Sequence, residues 1–247
     1  MQKSVILFVL SVISFCSCSH TPKSVVSAEE TLISINSKAD AIQDTAYIRM
    51  LQPKSDSLER QLDVVIGYAP EALTVKKPEC TMLNWATDAL YDMAKEVYKG
   101  EVDLAVTNIG GMRTNWQAGD ITRRQVYELM PFDNRLVILT LEGKDVRNLC
   151  NVFARQGGQG VSRQLRMEIK DKKAQNIRLN GRKIVDSAVY YVATSDYLST
   201  GADNFTPLTR AIEKHETRHK IRDLYMKYIE TRKTVKAAVD GRMKKTN

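Results

Sequence analysis

A chain of 247 residues has room for one large or two small domains at roughly 100–200 residues each, and it can bury a core without disulfide staples. Its composition, 43% hydrophobic and 27% charged with 12 Gly and 6 Pro, excludes the disordered, collagen-like and disulfide-scaffold classes; a mean hydropathy of −0.33 with a single apolar run excludes a multi-span membrane protein. The formal charge of +8, from 37 Lys and Arg against 29 Asp and Glu, points first to an anionic partner: nucleic acid, a membrane surface or a phosphorylated small molecule.

Met1-Gln-Lys3 and the apolar stretch over 5–15 have the charged and hydrophobic regions of an export signal, too short to span a bilayer stably. The stretch ends in Phe15-Cys16-Ser17-Cys18, similar to a bacterial lipobox, in which a small residue precedes the cysteine that is acylated. Cys18, behind Ser17, is the better acceptor; a plain secretory signal with two incidental cysteines is the alternative. Residues 1–17 are thus expected as a lipoprotein-type signal peptide, 18–45 as a polar, Ser/Thr-containing tether, and 46–247 as the folded domain. Cys80 and Cys150 read as buried small hydrophobes rather than a pair, although a disulfide between them stays open.

Pro53 near the first turn opens a short amphipathic helix over 54–62, and Val64-Val-Ile-Gly-Tyr68 reads as a strand. Thr81 is a candidate N-cap for a helix through about Tyr98, whose apolar stripe includes Leu83, Ala86, Leu90 and Met93, with Trp85 also read as core. Strand over 102–106, helix over 123–130, strand over 136–141 and helix over 144–154 follow. Four β runs come next, over 165–169, 177–179, 184–185 and 189–194, with Asn180-Gly181 as a hairpin turn between two of them. A last helix is predicted over 216–231, apolar on one face and basic on the other. The pattern predicts an α/β (α+β) fold, a layered mixed-sheet domain with covering helices. Asp88 and Asp120 read as turn or cap residues.

Asn108-Ile-Gly110-Gly111-Met-Arg113 follows an apolar strand. Paired glycines let backbone approach a ligand closely, and the Arg offers a planar fork for phosphate or carboxylate; a tight turn with a solvated Arg is the alternative. Pro131-Phe132-Asp-Asn134 stands just before a strand, and Tyr197-Leu-Ser-Thr-Gly201-Ala-Asp203-Asn-Phe205 just after one. Phe132 and Tyr197 can sandwich a planar heterocycle, with Asn134 and Asp203 bonding hydroxyls or ring nitrogens. Phe205 either extends this clamp or packs beneath Tyr197. His215-Glu-Thr-Arg-His219 matches the H-E-x-x-H zinc pattern, but the cations Lys214, Arg218 and Lys220 disfavour a dication, and a solvated helix start is expected there instead.

Together, Asn108-x-Gly-Gly-x-Arg113, Ala118-Gly-Asp-Ile121, Pro131-Phe-x-Asn134 and Tyr197-x3-Gly201-x-Asp203 resemble the C-terminal, substrate-specificity domain of the 5′-nucleotidases, over about residues 64–205. The resemblance implies a nucleobase clamp of Phe132 and Tyr197, with Asn134 and Asp203 on base and ribose. It further implies Arg113 on phosphate and a pocket wall of Asn108, Gly110 and Gly111. Lys77 occupies about the place of a second family arginine, before Glu79-Cys-Thr-Met-Leu-Asn84; a further upstream arginine is replaced in the Leu73-Thr74 region. The Gly157-Gly158-Gln-Gly160 loop falls near another pocket-lining stretch of the family.

The family hydrolyses phosphomonoesters at a dinuclear metal centre in a separate N-terminal domain, and residues 19 to about 60 are too few for one. With three His in the chain, no metal site, no catalytic residue and no cofactor is expected here. The implied partners are a nucleoside or nucleotide, a separate metallophosphatase subunit carrying divalent metals, and a membrane reached through the lipid anchor. A lone nucleoside-binding module is the alternative function. Nucleic acid is not expected, because ten of the cations lie between residues 215 and 247, against four carboxylates, which leaves the pocket-bearing body near neutral. That basic tail reads as a solvated face, an anionic-membrane contact or a docking surface.

Overall fold

Alternating apolar side chains decide the architecture, because they divide one sheet between two cores. The computed structural model describes residues 27, 29–32 and 44–246; the expected signal segment, the acceptor Cys18 and most of the expected tether lie outside the described residues. The chain divides into a unit through Leu51 and a unit from Gln52 onward.

The elements are α1 (Thr45–Leu62), β1 (Val65–Ala69), α2 (Thr81–Val97), β2 (Leu104–Thr107), β3 (Gly119–Thr122), α3 (Arg123–Leu129), β4 (Arg135–Glu142) and α4 (Gly143–Arg155). Then follow β5 (Gly160–Val161), β6 (Leu165–Lys170), β7 (Lys173–Leu179), β8 (Arg182–Lys183), β9 (Val189–Ser195), α5 (Asp196–Ser199), β10 (Glu213–Lys220), α6 (Ile221–Arg232) and β11 (Met243–Lys245). Short 3-10 turns occupy Ile109–Gly111, Ala202–Asn204 and Thr206–Arg210.

The central sheet runs β10-β4-β9-β2-β5. Successive residues of a strand face opposite sides, so Leu136, Ile138, Ala105 and Ala193 join one core while Val137, Leu139, Leu104, Val106 and Val192 join the other. The first core is closed by α2, α3 and α6 and holds Trp85 between Trp116 and Tyr225, at ring-centroid distances of 4.9 and 5.3 Å. The second is closed by α4 and by a sheet of order β11-β6-β7-β8. This is the layered mixed-sheet arrangement with covering helices that the sequence predicts. A two-stranded pair, β1 with β3, completes it.

Local signals explain several elements. Asn180 and Gly181 take φ of 49° and 77°, the left-handed pair that a two-residue hairpin requires, and join β7 to β8. Thr122 and Gln125 form a reciprocal capping box at the start of α3.

Other expectations need correction. The first helix begins at Thr45, not 54, with Asp44 accepting bonds from the Ala46 and Tyr47 amides, and Pro53 lies inside it. Cys80 is the N-cap of α2, while Thr81 turns its hydroxyl to the Thr74 amide at 2.9 Å. Asp88 is neither turn nor cap: it sits within α2 and pairs with the Arg242 guanidinium at 2.9 Å. Asp120 lies in strand β3, opposite Tyr68. The segment over 213–220 is a strand, because it pairs along the edge of β4 and Thr217 donates to the Leu136 carbonyl at 2.7 Å; helix starts only at Ile221. The basic tail is not wholly a solvated face either. Arg222 and Arg242 are buried and ion-paired, and Lys220 and Lys227 pair with Asp133 and Glu96.

Candidate functional site

Four loops meet at one end of the central sheet, and the strand directions bring them there. β2 and β9 run parallel, Ala105 opposite Ala193, so the segments leaving Thr107 and Ser195 emerge side by side. β4 is antiparallel to β9, with Leu136 opposite Ser195, so residues 132–134 enter at the same end. β5 is antiparallel to β2, with Gly160 opposite Thr107, and delivers the loop over 156–159.

Between these loops opens a cleft of ≈ 320 Å³ lined by Asn108, Gly110, Gly111, Arg113, Phe132, Asn134, Tyr197 and Asp203. Residues as far apart in the chain as Asn108 and Asp203, 95 positions, are thereby brought together. The rings of Phe132 and Tyr197 remain 38% and 45% exposed and both line this one cleft, so their faces are open to a ligand. Lys77 does not line this cleft. Its ammonium donates to the Gln156 carbonyl, and it borders a neighbouring basic cleft of ≈ 570 Å³ that includes Arg155, Lys172 and Lys245.

Asp203 is the hub. Its carboxylate accepts from the buried Asn108 amide through Oδ2 and from the Tyr197 hydroxyl through Oδ1, at 3.1 Å. The bond to Asp203, and then its negative charge, push the Tyr197 phenol above its ordinary pKa, so the ring stays neutral and a donor at physiological pH. Asp203 itself takes φ 53° and ψ 28°, a left-handed conformation that costs free energy and persists where the surroundings over-determine it. Gly111 makes room for Asn108: a Cβ there would stand 2.8 Å from Asn108 Oδ1. Arg113 lies exposed at the rim, with Nη1 3.3 Å from the Gly110 carbonyl.

The loop carrying Phe132 is held from behind by Arg222, a residue the sequence reading did not single out. Its guanidinium donates to the Phe132 carbonyl at 3.2 Å and to Asp133 Oδ1 at 2.5 Å, and it lies over the Tyr127 ring at 4.2 Å. Hydrogen bonds from Lys220 and Arg222 hold the Asp133 carboxyl below the usual carboxylate range. A buried Arg just inside a helix gives no sequence signal distinct from the basic run around it. Phe205 does not extend the clamp; it is fully buried and packs on Phe153 at 5.2 Å.

His215 and His219 lie on strand β10, where four residues separate their side chains by on the order of 10 Å rather than by one helical turn. His215 instead packs on Tyr98 at 4.7 Å. Among the described residues no group of three or more His, Cys, Asp or Glu is placed to hold a metal ion.

Comparison with known proteins identifies the family and the fold. The model of the family described as "5'-nucleotidase, C-terminal domain" matches residues 65–210. The chain is 25% identical over 171 residues to the 5'-nucleotidase of Vibrio cholerae, covering 68% of this chain and 31% of that protein. It is 26% identical over 170 residues to Protein UshA of Escherichia coli, covering 67% and 31%. It therefore spans about a third of the length of the curated relatives it matches. Among solved structures, the 5'-nucleotidase precursor of Thermus thermophilus superposes with a TM-score of 0.71 at 23% identity, over 85% of this chain and 45% of that one. The NAD nucleotidase of Haemophilus influenzae gives a TM-score of 0.60 at 18% identity, over 82% and 42%. With its fold shared across these structures and its family's sequence pattern running from β1 to the turn before β10, the chain belongs to the 5'-nucleotidase C-terminal domain family.

Proposed function

We propose that this chain binds a nucleoside or nucleotide between Phe132 and Tyr197, and that it serves extracytoplasmic nucleotide catabolism by presenting that ligand to a separate metallophosphatase subunit. The observation that carries the reading is the convergence of two exposed rings, a carboxylate and side-chain amides on one cleft. A nucleobase offers two apolar faces to the rings and polar edges to Asn134. A carboxylate has about four acceptor positions, so Asp203, with one bond on each oxygen, keeps capacity for the donors of a ribose. Arg113 at the rim supplies a planar fork for a phosphate.

In this proposal hydrolysis falls to the partner; the chain itself covers about a third of the curated relatives it matches. Divalent metals would be held there and would supply the activated water. Export by the N-terminal segment and anchoring through Cys18, as a lipoprotein facing the periplasm or cell surface, belong to the same proposal. A second reading, a binding module without catalysis, is favoured by one observation: all eight cleft residues come from one compact unit, so capture needs no second chain.

Calorimetric titration with adenosine and AMP tests both readings. Binding by the chain alone is expected, with Phe132→Ala weakening it about tenfold or more once stacking and buried area are lost. Unchanged affinity in Phe132→Ala removes both readings. AMP hydrolysis on mixing with a metal-loaded metallophosphatase subunit favours the first; binding without hydrolysis in every such mixture favours the second.

A further inference from the structure

Behind the cleft, two glutamine side chains join its two halves, and neither lines it. The Ile109 amide donates to Gln159 Oε1 at 2.7 Å. Gln159 Nε2 donates to Gln156 Oε1 at 2.5 Å, and Gln156 Nε2 donates to the Asp203 carbonyl at 2.7 Å. The direction of this chain is fixed at both ends, because a backbone N–H can only donate and a backbone carbonyl can only accept. Each amide is thus set in one orientation, and turning either one over breaks two bonds at once.

The bridge spans the loop after β2 and the loop after β9, the same two loops that Asn108 and Asp203 join on the ligand side. Asp203 is therefore gripped twice, by its carboxylate in front and by its carbonyl behind, and the second grip falls on a residue whose left-handed backbone needs support. Lys77 adds to the same loop by holding the Gln156 carbonyl. Gly158 lets that loop pass close to the Lys77-Pro78 segment, since a Cβ on it would lie 2.2 Å from the Pro78 carbonyl oxygen.

We infer that Gln156 and Gln159 are positioning residues that set the cleft's preference for a sugar-bearing ligand over a free base. The inference rests on the nucleoside reading above. The rings grip the base, and Phe132 is held by Arg222, on a different loop. The glutamine bridge holds the backbone of Ile109 and Asp203 directly, on the side where ribose hydroxyls would be received, and reaches the clamp only through the single Tyr197–Asp203 bond. Loosening the bridge should therefore cost the sugar contribution and spare the base contribution.

The test titrates the full chain with adenosine, guanosine, cytidine and uridine, then follows the tightest of these and its free base in Gln156→Ala, Gln156→Glu and Gln159→Ala. Gln156→Glu is the sharper variant, because it keeps size but places an acceptor against the Asp203 carbonyl. The expected result is nucleoside affinity reduced about tenfold with free-base affinity within about twofold of wild type, the nucleoside preference falling accordingly. Equal loss for nucleoside and base, or no loss for either, overturns the inference while leaving the nucleoside reading intact. A wild-type chain that binds none of the four nucleosides overturns that reading and the bridge's role with it. Thermal melting of each variant gives the independent check on folding: a variant that melts with wild type yet loses only nucleoside binding has lost positioning, not structure.

Discussion

Replacing Arg242 with Ala tests how the C-terminal tail is fastened. The side chain is only 4% exposed, yet it carries a full charge. It forms a paired contact with Asp88, at 2.9 and 3.1 Å, reaches Asp240 at 2.8 and 3.1 Å, and donates to the Val161 carbonyl at 3.0 Å. Removing one member of a buried ion cluster costs about 3–5 kcal/mol, because the remaining charges lose their partner but not their burial. Here Asp88 and Asp240 keep 20% and 33% exposure, and Asp88 retains the Arg163 amide at 2.7 Å, so the low end, about 3 kcal/mol, is expected. For a domain of this size that lowers the melting temperature by roughly 6–12 °C.

Arg147→Ala is the control for Arg242. It breaks an ion pair with Asp186 whose partners are 41% and 62% exposed and should cost under about 1 kcal/mol. The pH dependence adds a second readout. Burial works to raise the Asp240 carboxyl, but hydrogen bonds and charge from Arg242 outweigh it and hold the group below its ordinary pKa of 3.8. A depressed folded pKa means that stability is fully present above the unfolded value and is lost as pH falls through the folded one. The gap between wild type and Arg242→Ala should accordingly be constant at neutral pH and narrow below about pH 4. Urea or thermal unfolding from pH 3 to 8 measures it. An Arg242→Ala cost no greater than that of Arg147→Ala, or a gap that widens in acid, would refute the reasoning.

Three further expectations concern the site and the cores. Arg222→Lys keeps the charge but loses the planar fork that reaches the Phe132 carbonyl and Asp133 together, so nucleoside affinity should fall about three- to tenfold in titration, with a lower melting temperature. Gly111→Ala places a methyl 2.8 Å from Asn108 Oδ1 and should turn that amide away from Asp203, weakening nucleoside binding with little effect on melting; unchanged affinity would show that the Asn108 contact is dispensable. Burial pushes the Cys150 thiol up to about 12, so neither Cys150 nor the equally buried Cys80 should react with iodoacetamide in the native protein at pH 8. Both should be alkylated on unfolding without reductant, as mapped by mass spectrometry, and resistance to alkylation would mean that they are joined.

Much of this protein is legible in one dimension because its signals are local. Continuous apolar runs give β4 and β9, alternation gives β6, the helical stripe gives α2, and Asn180-Gly181 gives its hairpin, since each depends on residues only a few positions apart. The aromatic, amide, carboxylate and Arg motifs are legible for the same reason, and the cleft contains eight of the nine residues read as ligand contacts. Whatever depends on a partner distant in sequence is decided only by the tertiary structure. The charged segment over 213–220 carries no apolar pattern to separate helix from strand; the free edge of β4 made it a strand and drew His215 and His219 apart. Lys77 reads as a ligand contact, yet a carbonyl 79 positions away claims its ammonium. The net charge of +8 follows the same rule: a count of lysines and arginines fixes a sum, whereas the pairing of Arg222 and Arg242 with carboxylates on other elements decides which of them face a ligand at all.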